Sequence, residues 1–251
     1  SILKGEVFDE VLNHSKAIYF SVALHLPKDD IIEGLRTFFK LPKWDGEAFS
    51  EIMHKYQATP EMFFHRLTNI LPEFFGLKKL FFLRFIHEPA SDAFSIDKEL
   101  HLYQKHHPHG NALSEHYCRR WISISLLQDL LQMQEEGKFV KTIVAAQRSN
   151  YYGTDDQYLC FTLARPSYPV PDKNVSVTIG LQLNENVRDT IRFAGDPGIQ
   201  QRVVNNTCER CPIEDCKERS APPTVVLRKN KTRAIEKRLN VLLGNSVHTQ
   251  K

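Results

Sequence analysis

Hydrophobic positions over residues 1–76 recur with a helical period. Val7, Val11, Leu12, Ile18, Val22 and Leu26 predict one amphipathic helix, which Pro27 stops. Asp29 or Asp30 can cap the next, whose apolar face is Ile31, Ile32, Leu35 and Phe38. Phe49, Ile52, Met53 and Tyr56 predict a third helix. Thr59-Pro60-Glu61 then reads as a helix start: an N-cap oxygen, a proline where no N–H is needed, and an acid against the positive helix end. The helix that follows carries Met62, Phe63, Leu67 and Ile70 and ends before Gly76. The last two helices, joined by Gln57-Ala58-Thr59, have helix-turn-helix spacing. The second offers only His65 and Arg66 as polar readers, so ordinary packing of two helices is the expectation.

From Lys79 the period changes. Leu80–Ile86 is a dense apolar run, and Phe139–Gln147, Tyr158–Ala164 and Val175–Leu183 are rich in β-branched and aromatic residues, so four strands are predicted. Ser114–Gln134 reads as a helix bearing Trp121, Leu126, Leu127, Leu130 and Leu131. Asn184–Phe193 reads as a shorter one capped by Asn184, and turns are expected at Asn150–Gly153 and Pro166–Pro171. Pro222-Pro223 breaks the chain, and Lys229–Leu243 is a basic helix with Ile235, Leu239 and Leu242 on one side, expected to dock or to oligomerise. Helices followed by strands interleaved with helices predict an α+β fold. Three regions are expected: a helical segment 1–76, an α+β ligand-sensing domain 77–223, and a basic C-terminal helix 224–251.

Composition changes this picture little. A chain of 251 residues with 41% hydrophobic content can bury a sizeable core, and a net charge of +3 is too weak to argue nucleic-acid binding by itself. The longest apolar stretch, Ala17–Leu26, is too short to span a bilayer, and no signal peptide is evident. The chain starts at Ser1, and a piece of a longer protein is the expectation.

The cysteines matter more. Three of the five lie within nine residues, a spacing unlike a disulfide framework, which implies a reducing, cytoplasmic setting and thiolate ligation. Cys208-x2-Cys211-x4-Cys216 can aim thiolates at one metal or iron–sulfur centre. Three ligands are one short of a closed site. Cys118, beside Arg119, Arg120 and Trp121, is the candidate fourth, since cationic neighbours lower a thiol pKa. His106, His107 and His109 are the alternative. Cys160, inside Tyr158-Leu-Cys-Phe161, reads as a buried inert thiol. Zinc and iron–sulfur both accept thiolates, but a structural zinc usually shows two ligand pairs, and the single pair here tilts the expectation to a cluster.

The segment Thr207-Cys-Glu-Arg-Cys-Pro-Ile-Glu-Asp-Cys-Lys-Glu-Arg-Ser-Ala-Pro-Pro223 resembles the C-terminal signature of the short-chain fatty acyl-CoA regulators, bacterial regulators of propionate and glyoxylate-pathway metabolism. Cys118-Arg-Arg-Trp121 resembles that family's Cys-x-x-Trp segment, and Gly137-Lys-Phe139 falls at its turn into a strand. Ala17–Pro27 and Phe64-His-Arg-Leu67 resemble the later part of an ImmA/IrrE-type metallopeptidase-like domain. The peptidase signature His-Glu-x-x-His is not present, because His87-Glu88 is followed by Pro89. An extended hairpin from Arg148 to Gln157 departs from the family's spacing.

The resemblance implies the sensor portion of a transcriptional regulator, not an enzyme. Its implied ligands are a [4Fe–4S] cluster and an acyl-CoA, and DNA would be bound by a helix-turn-helix that lies outside this chain. Homodimerisation follows from paired DNA half-sites. Phosphates want arginine and adenine wants an aromatic face. Arg119, Arg120, Trp121, Arg148 and Arg165 are therefore the expected CoA-binding residues, with Tyr151 and Tyr152 nearby in sequence. The competing expectations are a zinc-stapled interaction module and an iron–sulfur or degenerate peptidase-like enzyme.

Overall fold

A computed structural model describes residues 8–102, 115–168 and 172–243. Among the described residues the helices are α1 (Phe8–His25), α2 (Lys28–Phe39), α3 (Gly46–His54), α4 (Pro60–Phe75), α5 (Ile122–Glu135), α6 (Glu185–Thr190) and α7 (Thr224–Leu242). The strands are β1 (Leu80–Glu88), β2 (Ala93–His101), β3 (Ile143–Tyr151), β4 (Gln157–Pro166), β5 (Asn174–Gln182) and β6 (Gln200–Val204). They form one sheet ordered β2-β1-β5-β4-β3-β6, antiparallel except for the parallel β3–β6 pair. The fold class is α+β.

The local signals act as elementary chemistry requires. The Thr59 hydroxyl accepts from the Met62 N–H at 3.3 Å, Pro60 opens α4, and Gly76 closes it at φ 68°, a left-handed conformation in which a Cβ is strained. Asp45 caps α3 and Asn184 caps α6 in the same way.

Strand side chains alternate faces. One face of the sheet, with Phe82, Val144, Ala146, Leu159, Phe161, Leu163, Val177 and Ile179, packs against residues of α1–α4 in one continuous core. At its centre Trp44 stacks on Phe161, ring centroids 5.2 Å apart, while Phe38 meets Phe49 and Phe193. The Asp196 carboxylate holds the chain at this point by accepting from the Trp44 N–H at 2.8 Å. The opposite face, with Leu83, Phe85 and Ala164, packs under α5 through Ile124, Leu127 and Leu130. That layer is threaded by hydroxyls. Ser123 meets Thr178 at 2.8 Å, Thr178 meets Thr162 at 2.7 Å, and Ser176 donates to the Ser123 carbonyl, so these buried hydroxyls satisfy one another.

Several sequence expectations change. The strand expected at Phe139–Gln147 lies at Ile143–Tyr151, and Phe139 is 89% exposed, because pairing with β4 rather than local composition sets its limits. The helix expected from Ser114 begins at Ile122. Ser114 lies outside the described residues, and 115–121 are drawn instead into contact with the chain at 206–208. The C-terminal helix starts at Thr224, directly after Pro223, and none of its residues is buried, so it does not dock on the body. Strands β2 and β6 were not predicted. Their polar, charge-bearing sequences carry no apolar run and are strands only because a neighbour offers a free edge. His65 and Arg66 face α1: the Arg66 Nε donates to the Leu26 carbonyl at 3.2 Å, and His65 meets Tyr19 edge-on. Helices α3 and α4 are packing elements. No helix among the described residues is long and apolar enough to cross a membrane.

Candidate metal centre

The cysteine loop, residues 205–223, leaves the end of β6 and returns to α7. A short antiparallel contact holds it to the segment before α5: Tyr117 bridges Thr207, the Cys118 N–H donates to the Asn206 carbonyl at 3.1 Å, and the Cys208 N–H donates to the His116 carbonyl at 2.9 Å. This pairing sets Cys118 beside Cys208, although ninety residues separate them in sequence. Cys118, Cys208 and Cys211 are buried, Cys216 is half-buried, and all are free thiols. Cys118 lies within electrostatic reach of Cys208 and Cys211, and Arg120 within reach of Cys216 and Cys118.

Charged side chains shape the loop. The Arg219 guanidinium sits inside it and donates to four backbone carbonyls: Cys208 at 2.8 Å, Cys211 at 3.1 Å, Ala221 at 3.4 Å, and Ile213. Arg210 grips Glu115 in a two-pronged ion pair at 2.7 and 2.8 Å, and Glu115 also accepts from the Thr207 hydroxyl at 2.7 Å. His116 Nδ1 meets the Glu209 carboxylate at 2.7 Å, while the His116 N–H donates to its other oxygen at 3.0 Å. The Ser220 N–H and hydroxyl both lie 3.4 Å from the Cys208 sulfur, a polar cradle suited to a thiolate. Glu218 joins the loop to Arg120 at 3.1 Å and to Arg202. Of these supporting residues only Arg120 was named as a site residue from the sequence, and for CoA rather than for the loop. The cysteine spacing marks ligands, whereas carbonyl-binding arginines have no spacing rule.

The expectation that cationic neighbours lower the Cys118 thiol is corrected. Burial pushes it up, and the Cys208 and Cys211 thiols add to that, outweighing the backbone N–H bonds that lower it. Arg119 is turned away to Asp92 at 3.1 Å, and Arg120 is engaged by Glu218. Cys160 lies fully buried in β4, its thiol pushed up to about 12 by burial.

In kind, the donors fit a thiolate-ligated cluster: three free thiols on one loop and Cys118 on the segment paired with it, with the Ser220 N–H 3.4 Å from the Cys208 sulfur. Among the described residues no three His, Cys, Asp or Glu side chains converge as they would around a single ion. His106, His107 and His109 lie outside the described residues.

The residues expected for CoA divide between the two faces of the sheet. Arg119, Arg120 and Trp121 stay with the cysteines. Trp121 is buried against Phe85 and Tyr117, and its indole N–H finds no acceptor among the described residues. Arg148 sits opposite Leu159 on the face toward α1–α4, near Asp196. Arg165 lies on that same face, paired at 2.8 Å with Glu61, which also meets Arg84. One binding site cannot use both sets. Beside the thiols runs a groove of about 440 Å3 lined by Asp92, Phe94, His116, Tyr117, Arg119 and Ser220. In its wall Phe94 carries Arg119 4.2 Å over its ring and the buried His87 ring stacked at 4.2 Å. Asp92 bonds both His87 and Arg119.

Comparison of the chain with protein-family models, curated proteins and solved structures finds no match.

Proposed function

We propose that this chain is the ligand-sensing portion of a transcriptional regulator of short-chain fatty acid metabolism. It holds an iron–sulfur cluster on Cys208, Cys211, Cys216 and Cys118. The observation that supports this reading is the backbone pairing of 116–118 with 206–208, which adds a fourth thiol to three already spaced as ligands. When bound, such a cluster supplies a redox-sensitive and oxygen-sensitive cross-link between two distant chain segments.

The chain's own residues have definite parts in this. Arg219 ties together the carbonyls of the ligand loop and so fixes its backbone. Ser220 supplies donors to the Cys208 sulfur. Burial excludes water from three of the four thiols. The groove beside the thiols has a volume in the range of small-ligand pockets, and an acyl-CoA phosphate there would have to draw Arg119 away from Asp92 and off the Phe94 ring, which His87 also covers. Control requires that cluster or acyl-CoA bind two conformations with different affinity.

Metal and acid-labile sulfide analysis of anaerobically purified protein tests the reading. Iron and sulfide in equal amounts, with brown colour and broad visible absorbance, is the expected result. Colourless protein with stoichiometric zinc would replace it with a zinc-stapled interaction module. Mass spectrometry of the nucleotides that copurify tests the ligand: a CoA species is expected, and its absence under every preparation removes the acyl-CoA from the reading.

A further inference from the structure

Helix α7 is 19 residues long, and no side chain on it is buried. It carries six cations, Arg228, Lys229, Lys231, Arg233, Lys237 and Arg238, against the single acid Glu236. That is +5 on the helix against +3 for the whole chain, which leaves the remainder at −2. The positive charge of this protein is therefore concentrated on one exposed rod.

The placement of these charges around the rod is specific. At about 100° per residue, Arg228, Lys231 and Arg238 fall on one side and Lys229, Arg233 and Lys237 on the opposite side. A helix lying on a membrane keeps its cations on one face and its apolar residues on the other. A helix pairing with its own copy uses an apolar, charge-free line, here Leu227, Ala234 and Val241, whose alanine centre offers little area to bury. Two opposed cationic stripes are called for by neither arrangement. They suit a slot with anionic walls on both sides. The major groove of B-form DNA is such a slot, about 12 Å wide against a helix diameter of about 10–12 Å, with a phosphate backbone along each wall. The deep, narrow major groove of A-form RNA does not admit a helix, and its wide minor groove is too shallow to flank one with phosphates.

We propose that α7 is a DNA-binding arm that enters the major groove of duplex DNA and pairs its two cationic stripes with the two phosphate backbones. This rests on α7 alone and stands whether or not the thiols hold a cluster. The helix is also wired to the cysteine loop, since the Val225 N–H donates to the Glu209 carbonyl at 3.0 Å and the Val226 N–H to the same carbonyl at 3.4 Å. The position of the arm therefore follows the loop between Cys208 and Cys211.

The test is binding of a mixed-sequence DNA duplex by the full chain, followed by fluorescence anisotropy across a salt series. Six phosphate contacts predict that affinity falls about a thousand-fold between about 50 and 200 mM salt. Two triple variants, Arg228→Gln/Lys231→Gln/Arg238→Gln and Lys229→Gln/Arg233→Gln/Lys237→Gln, should each remove about half of the salt dependence, because the stripes serve different strands. Glutamine keeps the helix propensity, which circular dichroism checks. Should helicity fall, exchanging each Lys for Arg and each Arg for Lys decides the matter: the arm keeps its salt dependence if charge is what binds. The proposal is overturned if the chain does not bind the duplex at low salt. It is equally overturned if the triple variants bind with unchanged salt dependence, if duplex RNA or anionic vesicles bind more tightly than DNA, or if the variants lose self-association rather than DNA.

Discussion

Tyr117 and Thr207 pair their backbones in an isolated antiparallel bridge, and this contact sets the Cys118 thiol beside Cys208. A bridge of so few bonds would be weak alone. The flanking Glu115–Arg210 and His116–Glu209 contacts hold it from the side chains. The cysteine centre therefore depends on charged residues that bind no ligand themselves.

Replacing Cys118 separates the four-thiol centre from a three-thiol one. Cys118→Ser should lower the iron and sulfide content of anaerobic protein several-fold, while Cys160→Ser, which alters a thiol held protonated by burial, should leave it unchanged. Equal cluster content in wild type and Cys118→Ser would remove Cys118 from the ligand set.

Arg219 is the structural centre of the loop. Arg219→Ala strips the donor from four carbonyls and should reduce stability by about 2 kcal/mol in urea unfolding, a charged donor being worth more than a neutral one. Arg219→Lys should recover only part of this, since an ammonium cannot reach four carbonyls arranged around a planar guanidinium.

Gly180 lies beneath the Phe81 ring, and a Cβ built there would come within 2.2 Å of it. Gly180→Ala should cost about 1–3 kcal/mol of stability through overpacking. The double variant Gly180→Ala/Phe81→Leu should recover much of that loss, and additive losses in thermal unfolding would refute the contact as the cause.

His87 is fully buried against Phe94, and burial holds its pKa below the ordinary 6.5 despite the opposing bond to Asp92. Its folded pKa is thus lower than its unfolded one. The stability it contributes is complete above the unfolded value and is lost as pH falls from about 6.5 through the folded pKa. Denaturant unfolding of wild type should weaken over that interval. In His87→Leu the decline should flatten, and an unaltered pH profile would show that another group governs it.

The local elements were legible wherever the chain carries its own signal. The Thr59-Pro60 start and Gly76 end of α4, the apolar faces of α2 and α3, and the apolar runs of β1, β4 and β5 follow from capping chemistry and side-chain period. So was the Cys208–Cys216 loop, because its three thiols lie close in sequence. Strands β2 and β6 were not legible, since polar edge strands exist through a partner's backbone rather than through their own side chains.

The arginines show the same division. Their identities suggested one phosphate site, yet the two-residue period of β3 and β4 turns Arg148 and Arg165 to the α1–α4 face, while Arg119 and Arg120 remain with the thiols. The composition and spacing of this chain mark which cysteines lie close together and which segments are helical. Only tertiary structure decides that the Cys118 segment pairs with the Cys208 segment, that Arg219 fills the loop, and that no residue of α7 is buried. The first joins residues ninety apart in sequence, and each depends on backbone groups or burial that no local pattern records.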